Sequence, residues 1–131
     1  MDVEELEKLA TANHNEFDRQ WNDHNRNWEK LVENFYTTDA VIYPPGSPPV
    51  TGLQDIARFF TSIPSKLHLH NSLKEVRRIG EDSYFSIFTL QVTIDDKEVD
   101  RFSTCHIWTN VNGVWKMLHD FWNSDYEKVN Y

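Results

Sequence analysis

The sequence predicts an α+β fold in which three N-terminal helices pack on a strongly curved, mostly antiparallel sheet. Up to about residue 62 the apolar residues recur at intervals of three and four, which is the period of an amphipathic helix. From Ser65 onward the apolar period becomes two, and short polar turns divide this part into strands. Helices that come first and an antiparallel meander that comes last indicate the α+β class.

Three stretches have the helical period, and each has a recognisable boundary. Asn27 is a suitable N-cap for the second stretch, and Pro64 ends the third. The Asn and Asp side chains just before Asn27 compete with the helix backbone for hydrogen bonds, so they separate the first two helices. The predicted helices cover residues 3–23, 28–36 and 53–62.

The predicted strands are separated by turn signals of different strength. A short β-prone run at residues 40–43 leads into the loop 44–49, whose four prolines exclude it from the interior of a sheet. Asn112-Gly113 is the strongest hairpin signal in the chain. The predicted later strands cover residues 66–79, 83–94, 98–110 and 114–123.

Composition and charge exclude several classes of function. A length of 131 residues fits one domain over residues 1–131, and the formal net charge of −8 argues against a nucleic-acid groove or an anionic membrane surface. The single cysteine, Cys105, excludes an intramolecular disulfide. No apolar run approaches the roughly 18 residues of a membrane helix. Because the N-terminal stretch is acidic rather than signal-like, we expect a cytoplasmic protein.

Two segments carry a resemblance to a known superfamily. The block Phe35–Phe60 runs from a helix end through a Thr-Asp turn, a short strand and the proline-rich loop to a helix that ends in two phenylalanines. The ending Gly113–Asn123, which contains Trp122, completes the pattern. In this order and at this spacing, the chain resembles the nuclear-transport-factor-2-like superfamily over essentially its whole length, in particular the SnoaL-like and ketosteroid-isomerase-like branches.

The resemblance implies an architecture but no single activity. It implies a cone-shaped α+β barrel whose interior is a pocket and whose outer sheet face mediates homodimerisation. We expect no cofactor and no metal. The superfamily contains enzymes, ligand binders and oligomerisation modules, so the fold does not name a reaction. In ketosteroid isomerases a carboxylate base stands where this chain has Tyr43 and Pro44, and their protonated Asp and their tyrosine fall at Cys105 and near Trp21. Steroid isomerisation is therefore not expected.

The strand pattern and the resemblance together predict which side chains face the pocket. Alternation in the strand 83–94 points the even positions, including Phe88, into the cone. For the last two strands the resemblance places Arg101 and Asp120 in the pocket. A buried charge is costly unless it is paired, so these two side chains either form a structural ion pair or serve a polar ligand. In the second case Asp120 acts as acid or base, and Arg101 binds a carboxylate or enolate oxygen.

The histidines and the cysteine are expected to have structural roles rather than metal-binding or nucleophilic ones. His68 and His70 share one strand face, but no third ligand with suitable spacing accompanies them, so we expect no metal site. His106 and His119 are expected on the outer face, where they would form hydrogen bonds at an interface. Because His106 points away from Cys105 in this arrangement, a buried and inert thiol is favoured.

Two hypotheses of different class follow. The leading hypothesis is a homodimer that binds a small, largely hydrophobic molecule in an aromatic-lined pocket, with cofactor-free proton transfer of isomerase, cyclase or dehydratase type as the reaction that such a pocket supports. The alternative is a non-catalytic association module that dimerises through the outer sheet face. Asp120 and Arg101 are the candidate catalytic pair. The expected ligand-binding residues are Phe17, Trp21, Tyr43, Phe60, Phe88, Ser103, Cys105, Leu118 and Trp122.

Overall fold

Three helices and one curved six-stranded sheet make up the fold, which confirms the predicted α+β class. A computed structural model describes residues 1–126, so the end of the predicted domain 1–131 lies outside the described residues. The sequence did not predict the two-residue strand that precedes the third helix. The elements in chain order are α1 (Val3–Asn22), α2 (Trp28–Phe35), β1 (Tyr36–Tyr43), β2 (Val50–Thr51), α3 (Leu53–Thr61), β3 (His68–Gly80), β4 (Ser83–Ile94), β5 (Lys97–Val111) and β6 (Val114–Ser124).

The sheet has the strand order β2-β1-β6-β5-β4-β3. Within the described residues only β1 and β6 pair in parallel, and the other pairs are antiparallel. The register shifts in each of the four longer ladders. An extra residue in one strand bends that strand and increases its twist, so these irregularities favour the curvature of the sheet.

Helix boundaries follow from side-chain caps. The Asp2 carboxylate accepts a hydrogen bond from the backbone N–H of Glu5 at 2.8 Å and begins α1. The Asn27 side chain accepts from the backbone N–H of Lys30 at 3.1 Å, which confirms the predicted cap of α2. Each cap satisfies one N–H group that the first helical turn leaves without a partner.

The core lies between the helices and the concave face of the sheet. As predicted, the even positions of β4 point inward, and Tyr84, Phe88 and Val92 are fully buried. Trp108 from β5 stacks on Tyr84 at 6.0 Å and donates its indole N–H to the Ser86 hydroxyl at 3.2 Å. This end of the inner face is therefore packed with aromatic rings, and the indole N–H of Trp108 has a partner.

The facing predicted for β5 is wrong, and a bulge in the ladder with β6 is the physical reason. Next to the hairpin, Trp108 of β5 pairs with Met117, so an even position of β5 lies beside an odd position of β6. One extra residue in β6 exchanges this parity, so that His106 pairs with Asp120. Val99 is also an extra residue, in the ladder with β4, but the even positions of β5 are the more buried ones on both sides of it, whereas the odd ones were expected.

The strand β6 contains the matching irregularity. Ile107 pairs with His119 but Trp108 pairs with Met117, so Leu118 is the extra residue. Met117 is buried on the inner side of the bulge, while Leu118 is only half-buried. Beyond the bulge the even positions of β6 face inward, as predicted for Asp120 and wrongly predicted for Leu118.

The cap of α2 gives a direct test of helix formation. We expect Asn27→Ala to lower the free energy of unfolding by about 1 kcal/mol, because the first turn of α2 loses its side-chain acceptor. Urea denaturation of the wild-type and variant proteins measures the difference. Asn25→Ala, on an exposed residue of the same turn, is the matched control, and an equal effect of both variants would contradict the capping role.

Candidate functional site

A cavity of about 270 Å³ lies inside the cone, between α1, α3, the proline-rich loop and the inner face of the sheet. Its wall is mainly apolar and aromatic, and the polar side chains come from β5 and β6. The apolar lining residues are Phe17, Trp21, Pro44, Pro45, Phe59, Phe60, Ile63, Leu67, Leu69, Leu90, Phe102 and Trp122. The polar lining residues are Asp100, Thr104, His106, Asp120 and Ser124.

The Asp120 carboxylate is the centre of a buried polar cluster. The Tyr36 hydroxyl donates to Asp120 Oδ2 at 2.6 Å, and His106 Nε2 lies 3.0 Å from Asp120 Oδ1. The exposed fractions of Tyr36, His106 and Asp120 are 1, 3 and 6%. Burial, and then the charge and hydrogen bond of Asp120, raise the pKa of Tyr36 well above its usual value, so the phenol stays protonated and donates.

This arrangement favours one tautomer of His106. A carboxylate oxygen is an acceptor, so a proton on His106 Nε2, 3.0 Å from Asp120 Oδ1, suits this contact. In a neutral imidazole the other nitrogen, Nδ1, is then an acceptor. Among the described residues His106 Nδ1 has no hydrogen-bond partner, although the side chain is buried. A basic nitrogen held by a carboxylate in this way has the geometry of a general base.

A second buried histidine and carboxylate pair lies behind the first. The ring centroids of His14 and His106 are 5.2 Å apart, and His14 Nδ1 is 3.2 Å from Asp18 Oδ1. The second contact is close but lacks hydrogen-bond geometry. Asp18 Oδ2 accepts from the Asn71 side-chain amide at 2.7 Å. Two imidazoles and two carboxylates therefore share one buried region, of which only His106 and Asp120 border the cavity.

The rim of the cavity carries another carboxylate. Asp100 Oδ1 accepts from the Ser124 hydroxyl at 2.6 Å and from the backbone N–H of Arg101 at 2.7 Å. Asp100 is half-buried, as are the neighbouring rim residues Phe102 and Trp122. The described lining thus contains two carboxylates and no Lys or Arg, so its electrostatic character is negative or neutral.

Some of the predicted site residues border this cavity. Phe17 and Trp21 reach it from α1, Phe60 from α3, and Asp120 and Trp122 from β6. The indole N–H of Trp21 donates to the backbone carbonyl of Leu67 at 3.1 Å, which fixes this ring in the wall. The aromatic wall expected from the sequence is therefore present at these positions.

The predicted positions of three residues of β5 are wrong because the strand faces the other way. Arg101 is exposed and forms an ion pair with Glu98 at 2.8 Å, so it neither contacts Asp120 nor borders the cavity. The Ser103 hydroxyl donates to Asp125 at 3.1 Å on the outer side. Cys105 is half-buried on the same side, where partial burial raises the pKa of its thiol above the usual value, and the Asp120 and Glu75 charges add to this.

Three other predicted side chains also lie outside the cavity wall. The Tyr43 hydroxyl is 3.0 Å from His119 Nδ1 on the outer face, where His119 was expected. Leu118 borders a separate, open hollow of about 1130 Å³ beside α2 and α3, because the bulge turns it away from the cone. Phe88 is buried in the core against His14, with ring centroids 4.3 Å apart.

Sequence reasoning missed His106 and Tyr36. His106 was placed outside because the facing of β5 was transferred across bulges that the residue pattern does not reveal. One signal was available, since His106 has the same parity as the aromatic residues Phe102 and Trp108, which favour an inner face. Tyr36 was read as a helix end, whereas it begins β1 and points inward.

No group of three or more His, Cys, Asp or Glu side chains within residues 1–126 is arranged to hold a metal ion. His68 and His70 are both exposed on β3. None of the helices in the described part of the chain is long and apolar enough to cross a membrane.

Comparison with known proteins gives one family and several structural relatives. The family model described as the nuclear transport factor 2 (NTF2) domain matches residues 15–123. A search of curated proteins finds no significant match. The yeast UBP3-associated protein BRE5 has a TM-score of 0.77 at 16% identity, and the match covers 95% of this chain and 97% of that one.

Two further solved structures come from bacteria. A ketosteroid isomerase-like protein from Erwinia carotovora atroseptica has a TM-score of 0.70 at 18% identity, over 93% of this chain and 95% of that one. A protein from Xanthomonas campestris, assigned as a calcium/calmodulin dependent protein kinase II association domain, has a TM-score of 0.75 at 17% identity, over 92 and 88%. At such identities the likeness shows the fold alone. Since the family model spans most of the sequence and the resemblance inferred from the residues is confirmed, the chain belongs to the NTF2 domain family.

Proposed function

We propose that this protein binds a small, largely apolar molecule in the cone cavity and transfers a proton to or from it. His106 is the proposed acid or base. Asp120 orients the His106 ring and stabilises its charged form. The observation that carries the proposal is the buried His106 Nδ1, which has no partner among the described residues although its side chain borders an aromatic cavity. Buried polar atoms almost always have a partner, so one without a partner points to a ligand.

The size and the walls of the cavity suit a compact organic molecule. An apolar cavity of about 150 Å³ is large enough to bind benzene. The cavity of about 270 Å³ here therefore has room for a two-ring molecule. Phe17, Trp21, Phe60 and Trp122 supply flat apolar surfaces, and the polar groups are few and lie on one side, as in other small-molecule sites.

The proposed chemistry uses His106 as the group that touches the substrate. Nδ1 takes a proton from carbon next to a carbonyl, or from a hydroxyl, and the nearby Asp120 stabilises the imidazolium that forms. The Tyr36 hydrogen bond holds the carboxylate in place. Because the His106 and Asp120 side chains are buried, the interaction between their charges is stronger than in bulk solvent. Cofactor-independent isomerases, cyclases and dehydratases share this step.

The ketosteroid isomerase-like relative supports a reaction of isomerase type but not a steroid substrate. The place of the isomerase base is held by Tyr43, whose side chain lies on the outer face. The acid or base proposed here comes from β5 instead. A different substrate is therefore proposed for this chain.

Binding is tested by filling the cavity. We expect β-naphthylmethanol, an uncharged two-ring alcohol, to bind the wild-type protein in isothermal titration calorimetry. Leu90→Trp should abolish binding, because Leu90 lines the cavity and the larger ring occupies its volume. Thr89→Trp, next along β4 and facing the outer side, is the matched control, and circular dichroism verifies that both variants fold. Equal binding by both variants would argue against the cavity as the site.

Proton transfer is tested with β-tetralone, a two-ring ketone with acidic C–H groups beside the carbonyl. We expect the wild-type protein to accelerate deuterium incorporation at that carbon in heavy water, measured by proton NMR. His106→Gln should slow the protein-dependent exchange by at least about tenfold, since general base catalysis contributes about a hundredfold or more. His119→Gln, on the outer face, should leave the rate unchanged. Binding of the ketone without any acceleration would refute proton transfer.

A second function, self-association, is favoured by the outer face of the sheet. Two rows of mainly apolar side chains cross four strands on this face. One row contains the pair Ile107–His119, and the other contains the pair Cys105–Phe121. Phe121 is 39% exposed and stacks on Tyr43 with ring centroids 4.0 Å apart. The association domain and the UBP3-associated protein among the relatives support this role. The outer patch consists of Val41, Tyr43, Phe85, Ile87, Cys105, Ile107, His119 and Phe121.

The outer patch makes self-association testable. We expect a dimer in sedimentation velocity experiments, and we expect Phe121→Asp to shift it to monomer, because a charge is then placed in the centre of an apolar interface. Val3→Asp is the control, since Val3 is an exposed apolar residue of α1 outside the outer patch. A wild-type monomer at all concentrations would exclude the homodimer.

A further inference from the structure

We infer that the ligand of the cone cavity is an uncharged or cationic molecule and that the cavity rejects anions such as carboxylates and phosphate esters. This inference rests on the proposed function and specifies the ligand class of the same site. Its starting point is the lining, in which the described residues include Asp100 and Asp120 but neither Lys nor Arg.

The buried polar atoms of the site disfavour the binding of an anionic ligand. Asp120 Oδ2 accepts from the Tyr36 hydroxyl, and His106 Nε2 lies 3.0 Å from Asp120 Oδ1, so both groups are directed at the carboxylate rather than at a ligand oxygen. In the tautomer with its proton on Nε2, the His106 ring has a lone pair and no donor at Nδ1, and a lone pair repels an anionic oxygen. The Asp18 carboxylate, within hydrogen-bond range of Asn71 behind His14, adds negative charge to the same buried region. Binding an anion here would leave its charge buried without a partner.

Two basic side chains that belong to elements bordering the cavity, or follow them in the chain, are engaged elsewhere. Arg101 follows Asp100 on β5 but points outward to Glu98. Arg26 follows α1, where its guanidinium donates to the backbone carbonyl of Trp21 at 2.9 Å and lies over the ring of Trp28, 4.6 Å from its centroid. The earlier expectation that Arg101 binds a carboxylate or enolate oxygen is therefore replaced by the opposite preference.

The rim and the walls accept a cation. Asp100 is half-buried at the rim, and among residues 1–126 its side chain accepts hydrogen bonds from the Ser124 hydroxyl and the backbone N–H of Arg101. Trp21 and Trp122 line the wall, and the face of an indole ring attracts positive charge. An ammonium group that reaches the rim is therefore tolerated, whereas a carboxylate at the same place meets Asp100.

A matched series of three two-ring probes tests the inference. The series consists of β-naphthylmethanol, β-naphthylmethylamine and β-naphthoate, which share one apolar body and differ in charge. Isothermal titration calorimetry of the full chain at neutral pH and low salt measures each affinity. We expect the alcohol and the ammonium to bind, and the carboxylate to bind at least about tenfold more weakly than the alcohol.

A variant without the Asp100 charge tests whether the rim causes the difference in affinity between the alcohol and the carboxylate. Asp100→Asn should narrow the difference between β-naphthoate and the alcohol by at least about threefold, because one of the repelling carboxylates is removed. Asp82→Asn, in the turn between β3 and β4, is the control and should leave the difference unchanged. An unchanged difference in Asp100→Asn would overturn the role of the rim.

The outcomes separate the inference from the function on which it rests. Binding of β-naphthoate within tenfold of the alcohol, or more tightly, would overturn the charge preference while leaving the cavity as a binding site. Failure of all three probes to bind would overturn the proposed function, and the inference with it. Binding of β-naphthylmethanol, together with binding of β-naphthoate that is at least about tenfold weaker, supports both the proposed function and the charge preference.

Discussion

The buried Asp120 carboxylate is the interaction on which the rest of the site depends. It accepts a hydrogen bond from Tyr36 on β1 and lies 3.0 Å from His106 Nε2 on β5, while Asp120 itself lies on β6 between them. A charge at this depth is costly unless polar partners compensate it, so removal of either partner would be destabilising. The two contacts link three neighbouring strands and favour the Nε2–H tautomer of the histidine that borders the cavity.

Local features of the fold were readable from the residues. The cap of α2, the Asn112-Gly113 hairpin and the inward alternation of β4 each depend on neighbours along the chain, and the structure has all of them. The aromatic wall from α1 and α3 followed from helical spacing in the same way. These are short-range properties, so sequence pattern carries them.

The facing of β5 was misjudged, although the parity of Phe102 and Trp108 favoured the even positions, and this decided which candidate catalytic residues were named. Val99 and Leu118 are extra residues in the ladders on either side of β5, and the bulge at Leu118 changes the inward positions of β6 from odd to even. No residue type at either position signals a bulge, because Val and Leu are ordinary strand residues. Because of this shift, His106 borders the cavity where Arg101 was predicted. The predicted site would bind an anion, whereas the observed one has an imidazole in its wall.

The central claim is that Asp120 holds His106 with the proton on Nε2 and a lone pair on Nδ1. Long-range proton–nitrogen NMR correlation spectra of the histidine side chains measure this directly, and His106→Gln assigns the signals. The account predicts an Nε2-protonated neutral ring for His106, with this preference lost in Asp120→Asn. A neutral ring that carries its proton on Nδ1 would contradict the account, because Asp120 would then have no imidazole donor and the cavity no oriented base.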